Sequence, residues 1–216
     1  MAKRIELNGL ECFLLPQKAM YVSKYELLVI SDWHLGKLKH FRNAGFFVPS
    51  PDISLEIDEL RLLISDLPIR EIIFLGDLFH SEWNTDWEYF KTFINSVAQQ
   101  IKFTLTKGNH DVLDKKHFNK LPIAIRSEYI LSEGLVFSHE PIVGLPTYML
   151  NIVGHIHPGY LVGFKGRQNF RLPCFYIQDH LLILPAFGKF TGLHMMKKQE
   201  DSTIYAIIHD EVIEIK

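Results

Sequence analysis

The sequence predicts an α/β fold: a sandwich of two mixed sheets packed face to face with helices outside, as one domain over 1–216. Strand-like and helix-like segments alternate in the first half. From about Tyr129 the pattern turns β-rich, and no linker, internal repeat or low-complexity tract separates the halves.

Each element has its own signal. Leu27-Leu28-Val29-Ile30 is a short, wholly apolar run, the mark of a strand buried on both faces. Ser50-Pro51 reads as a helix start, with a capping serine and proline in the first turn. Behind it Ile53, Ile57, Leu60 and Ile64 share one face, with Glu56 and Glu59 elsewhere. Ile72-Ile73-Phe74-Leu75 is a second buried strand. Thr85-Asp86-Trp87-Glu88 has the spacing of a capping box, and the helix it opens aligns Trp87, Phe90, Ile94 and Val97. Phe103-Thr104-Leu105-Thr106 predicts a third strand. Later, Ser132-Glu133-Gly134, Gln178-Asp179-His180 and His209-Asp210 read as turns between strands.

Bulk composition narrows the function. Of 216 residues, 47% are hydrophobic, enough for a sizeable core. The formal net charge of -2 excludes a globally basic nucleic-acid binder, so any phosphate contact is local. The two cysteines, Cys12 and Cys174, form neither a metal pair nor a disulfide framework. The N-terminus lacks a signal peptide's apolar stretch, and no run approaches the ~20 apolar residues of a membrane helix. These features predict a soluble, cytoplasmic protein. The unusual number is eleven histidines.

The chemistry gathers in five segments: Asp32-Trp33-His34, Gly76-Asp77, Gly108-Asn109-His110-Asp111, His139-Glu140-Pro141 and Gly154-His155-Ile156-His157. Each follows an expected strand, and ligands in layered α/β folds sit outside the carboxyl ends of strands. Imidazoles and carboxylates without a thiolate suit Mn, Fe or Zn and disfavour a structural zinc knot. The pairs Asp32/His34 and His155/His157 are two residues apart, which on an extended strand end places both side chains on one side. So many donors exceed one tetrahedral shell, whereas two ions ~3.5–4 Å apart and sharing a carboxylate use them all. Singly, each segment reads as a turn or an ordinary histidine. Five of them at successive strand ends do not.

These segments resemble the calcineurin-like metallophosphoesterase family, with its D-x-H, GD, GNH-D/E, H and GH-x-H pattern. Asp32 to Lys37, Gly76-Asp77-Leu78-Phe79-His80-Ser81, Gly154 to Pro158 and Pro185 to Gly192 are similar to its bacterial DNA-ligase-associated branch, described as DNA-damage-response phosphoesterases or endonucleases. The similarity runs from about Gly9 to Gly192. Ser31 departs from it, where that branch often has a small apolar residue. The resemblance implies a four-layer α/β/β/α sandwich and two divalent ions, Mn2+ first, with Fe2+ or Zn2+ as alternatives. It places Asp32, His34, Asp77 and His157 on one ion and Asp77, Asn109, His139 and His155 on the other, with Asp77 bridging. His110 stays off the metals and faces substrate. DNA is the implied substrate, with functional association with a DNA ligase and helicase.

The expected reaction is hydrolysis of a phosphodiester by a hydroxide shared between the ions. His110 protonates the leaving alkoxide. Asp111 either orients that ring or caps a turn. His80 either touches a substrate phosphate or supports a ligand. Lys37, Lys39, His40 and Arg42 after the first segment, and Lys165, Arg167 and Arg171 after the last, could follow a nucleic-acid backbone or form an ordinary solvated surface. His117, His180, His194 and His209 read as surface or turn residues, and Cys174 as buried packing. Two other classes compete. A phosphoesterase for a small nucleotide or sugar-nucleotide would share the rim and differ in groove width and charge. A silent interaction scaffold would have no reason to keep every ligand.

Overall fold

The computed structural model describes residues 1–43, 45, 47, 53–80, 85–111, 121–164 and 168–216. The first sheet holds seven strands in chain order: β1 (Lys3–Leu7), β2 (Leu10–Leu15), β3 (Ala19–Val22), β4 (Leu27–Ser31), β5 (Glu71–Leu75), β6 (Lys102–Thr106) and β7 (Ile123–Arg126). β1 to β4 pair antiparallel as a meander, and β4 to β7 pair parallel. The second sheet comprises β8 (Glu128–Ile130), β9 (Leu135–Ser138), β10 (Leu150–Val153), β11 (Pro158–Phe164), β12 (Gln168–Gln178), β13 (Leu181–Ile183), β14 (His194–Met195), β15 (Ser202–Ile208) and β16 (Glu211–Glu214). At its centre β9, β10 and β13 run parallel.

The described α-helices are α1 (Lys37–Asn43), α2 (Ile53–Asp66) and α3 (Thr85–Val97). The capping pair Ser50-Pro51 lies outside the described residues. Ile57, Leu60 and Leu63 of α2 and Trp87, Phe90, Phe93 and Ile94 of α3 pack on Leu28, Ile30, Ile72 and Phe74 of the first sheet. The alternate residues Leu27, Val29, Ile73 and Leu75 face the second sheet, against Phe137, Ile152, Phe175 and Leu182. β4 and β5 are therefore buried on both faces, which is why they read as unbroken apolar runs. On the outer face of the second sheet Val153, Cys174, Tyr176 and Ile204 form a smaller core, flanked by Ile156, Tyr160 and Met196.

The two packed mixed sheets match the expected sandwich. Among the described residues all three α-helices lie in the first half of the chain. The strands of the β1–β3 meander, β7 and helix α1 were not legible in the sequence. No described helix is long and apolar enough to cross a membrane.

Candidate metal centre

Parallel strands end on one edge, so the sheets deliver the predicted segments to one place. β4, β5, β9 and β10 end at Ser31, Leu75, Ser138 and Val153, and Asp32, Gly76-Asp77, His139 and Gly154-His155 follow directly. Two groups of donors result, Asp32/His34/His157 and Asp77/His139/His155, and in each the ligand atoms lie within 4.8 Å of one another. Asp32, His34, Asp77 and His139 are buried, and His155 is exposed.

Asp77 stands between the groups. Its Oδ2 is 3.7 Å from His34 Nε2 and its Oδ1 3.5 Å from His139 Nε2. His34 Nε2 is 3.3 Å from His157 Nε2, which is 3.3 Å from Asp32 Oδ1. His139 Nε2 is 3.0 Å from both Asn109 Oδ1 and His155 Nδ1. Donors ~2.1 Å from a common ion at tetrahedral or octahedral angles stand ~3.0–3.4 Å apart, so these spacings fit shared cations.

The proton inventory points the same way. His139 Nδ1 donates to the Leu75 carbonyl, 3.0 Å away, so in the neutral ring Nε2 is a bare lone pair. That lone pair faces the acceptor oxygens of Asn109 and Asp77. A cation among them, shared by Asn109 Oδ1, Asp77 and the ring nitrogens of His139 and His155, would make all of these contacts favourable at once. At His34, burial first and the nearby His157 and Lys37 next pull the pKa down to about 2, leaving a neutral imidazole able to ligate.

The backbone corrects one expectation. The ligand pairs do not sit on extended strand ends. Asp32, His34, Asp77, His155 and His157 have φ of 50°, 53°, 46°, 64° and 53°, in the left-handed region. The strands stop one to four residues earlier, and the chain coils at each ligand. Such conformations cost ~1–3 kcal/mol each and persist where the surroundings over-determine them. Hydrogen bonds do so here. Asp32 accepts from the His155 backbone N–H at 2.9 Å, and Asp77 Oδ1 from that of His110 at 2.8 Å. A Cβ on Gly154 would stand 2.4 Å from Asp32 Oδ2, so no other residue fits between these loops.

His110 is half-buried, its ring stacked on His80 at 5.0 Å between centroids and 5.4 Å from that of His34. His80 Nδ1 lies 3.2 Å from His34 Nδ1, the ligand-supporting arrangement. Asp111 takes the turn-cap role. Fully buried, its oxygens accept the backbone N–H groups of Gly108 at 2.9 Å and Phe79 at 3.1 Å, and burial pushes its pKa up to about 6. Those contacts brace two loops and engage both carboxylate oxygens with backbone rather than with the His110 ring.

Lys37 opens α1 beside the site, half-buried; burial lowers its pKa, and the charge of Asp77 opposes that shift. Lys39 and Arg42 instead act on Asp86 of α3, where they oppose the upward shift that burial imposes. The His40 side chain and residues 165–167 lie outside the described ones. The buried Ser31 hydroxyl donates to the Pro185 carbonyl at 3.2 Å, so the departure at this position is satisfied internally.

Glu56 was missed. Its Oε2 accepts from Trp33 Nε1 at 2.7 Å and its Oε1 from the Lys189 backbone N–H at 3.1 Å, fastening the first ligand loop to residues 187–191. Nothing in the sequence marks it, since it occupies an ordinary polar position of an amphipathic helix.

A family model described as calcineurin-like phosphoesterase matches residues 25–209. Among solved structures the chain is similar to Pseudomonas putida nuclease MPE, with 26% identity, a TM-score of 0.82 and 100% of both chains covered. No curated protein matches.

Proposed function

Because the chain belongs to the calcineurin-like phosphoesterase family, and is therefore a metal-dependent phosphoesterase, we propose that it cleaves phosphodiester bonds in nucleic-acid strands. The observation that carries this reading is the meeting of two donor clusters at Asp77, the arrangement in-line displacement at phosphorus calls for. DNA as substrate draws support from the full-length likeness to a protein described as a nuclease. Mn2+, a role in DNA repair, association with a ligase and helicase, and a cytoplasmic setting belong to the same proposal. The two free, buried cysteines suit a reducing compartment.

Asp32, His34, Asp77 and His157 would hold one ion, and Asp77, Asn109, His139 and His155 the other. When bound, such ions polarise phosphoryl oxygens and make water a competent nucleophile near neutral pH. The residues then have separate tasks. His80 holds the His34 ring so that Nε2 points inward. The Leu75 carbonyl does the same for His139. Asp111 fixes the loop that carries His110. As the phosphorus–oxygen bond to the leaving group breaks, the His110 imidazolium gives that oxygen a proton. Lys37 offers its ammonium to a non-bridging oxygen.

The test is a panel of single-stranded DNA, duplex DNA and simple diesters, each with Mn2+, Fe2+ and Zn2+. Strand cleavage with Mn2+ is expected. Turnover of small nucleotides or sugar-nucleotides with no strand cleavage would replace this reading with the small-substrate one.

A further inference from the structure

The loop after β13 is clamped onto the first ligand loop. The Phe187 N–H donates to the Ser31 carbonyl at 2.8 Å and the Gly188 N–H to the Asp32 carbonyl at 3.3 Å, and a β-bridge joins Ser31 to Ala186. A Cβ at Gly188 would stand 2.2 Å from the Trp33 carbonyl oxygen, so this approach requires glycine. Glu56 adds the tie described above. Residues 189–191 are thus held at a set position beside Asp32 and His34, although none belongs to either donor cluster.

They wall a pocket whose lining includes His34, Lys37, Asp86, Lys189, Phe190 and Thr191. Phe190 is 43% exposed there, an aromatic surface left in water next to a candidate metal ligand. Lys189 Nζ is 3.7 Å from Glu59 Oε2, with both side chains solvated, so that pair is weak and the ammonium is available to an anion. Glu56 uses both oxygens internally, and Asp86, the other carboxylate of the lining, is countered by Lys39 and Arg42. An aromatic face flanked by ammonium groups suits a planar base carrying phosphates. The opposite side of the centre, bounded by Lys107, Asn109, Ser127 and Glu140, has no phenyl, phenol or indole ring among its described lining residues.

We infer that the base next to the scissile phosphate lies across the mouth of this pocket, stacked on the exposed face of Phe190, on one side of the cleaved bond only. The inference rests on the nucleic-acid reading above and deepens it. A base inside a duplex cannot reach such a ring without leaving its stack, so the pocket favours unpaired strands and frayed ends.

Single-stranded oligonucleotides carrying one tetrahydrofuran abasic residue, stepped along the sequence, test it with Mn2+ present. The wild-type protein is expected to cut one bond, on a fixed side of the abasic residue, about 5- to 100-fold more slowly, as loss of a base–aromatic stack implies. The bond on the other side changes little. Phe190→Leu is expected to cut intact strands at the slower rate and to lose the position dependence, while Phe190→Trp keeps both. Thermal unfolding of each variant verifies that it is folded. Wild-type cleavage indifferent to the abasic position, or dependence that survives in Phe190→Leu, overturns the inference alone. Failure to cut any strand while a simple diester is hydrolysed overturns the nucleic-acid reading and this inference with it.

Discussion

His155 combines a φ of 64° with an exposed side chain, so a substitution there changes backbone strain more than packing. Glycine relieves that strain and alanine does not. In metal-free protein, His155→Gly is expected to be more stable than His155→Ala by about 1 kcal/mol, the reverse of their order in a helix. Urea unfolding measures it, and an alanine variant equal to or above the glycine one contradicts the strain argument. His110 carries the proposed proton transfer. His110→Ala should keep its metal content and lose activity mainly on diesters with poor leaving groups, since an acidic phenol departs without a proton. Equal losses on both substrates, with metals retained, remove His110 as the general acid. The candidate ligands were legible because residue type and spacing carry the chemistry. The left-handed backbone that aims them was not, because aspartate and histidine occur in many conformations and only the surrounding hydrogen bonds select this one.

Among the elements, α2 shows what periodicity reveals and what it hides. Ile57 and Leu60 were readable as its buried face, while Glu56 read as solvated and is the tie between two loops. Glu56→Ala leaves the indole N–H of Trp33, a residue only 2% exposed, without its partner. The expected cost is about 1–3 kcal/mol in urea unfolding, and a loss within 0.5 kcal/mol, about the effect of an ordinary surface substitution, would show that the tie is dispensable. Helix α1 went unread, and its charges divide in a way the sequence could not foretell. Lys37 feels the charge of Asp77, whereas Lys39 and Arg42 act on Asp86. Lys37→Gln should therefore lower the salt slope of DNA binding by about 0.7–0.9. Lys39→Gln with Arg42→Gln together should lower it by less. The opposite ranking would mean that the strand runs along α1.

For the molecule as a whole, the sandwich was legible from its central strands. β4 and β5 are apolar on both faces because helices cover one and the second sheet the other. The β1–β3 meander was not, because its strands are short and their partners are recognised only once paired. The layers matter to function through their edge. Parallel strands of both sheets end there, and every candidate ligand is carried by a loop leaving it. The proposed chemistry requires two ions meeting at Asp77. Anomalous diffraction from crystals grown with Mn2+ tests that most directly. The predicted result is two peaks ~3.5–4 Å apart, one among Asp32, His34 and His157, the other among Asn109, His139 and His155, with the Asp77 carboxylate touching both. A single peak at saturating Mn2+, or two peaks with Asp77 on neither, would contradict it.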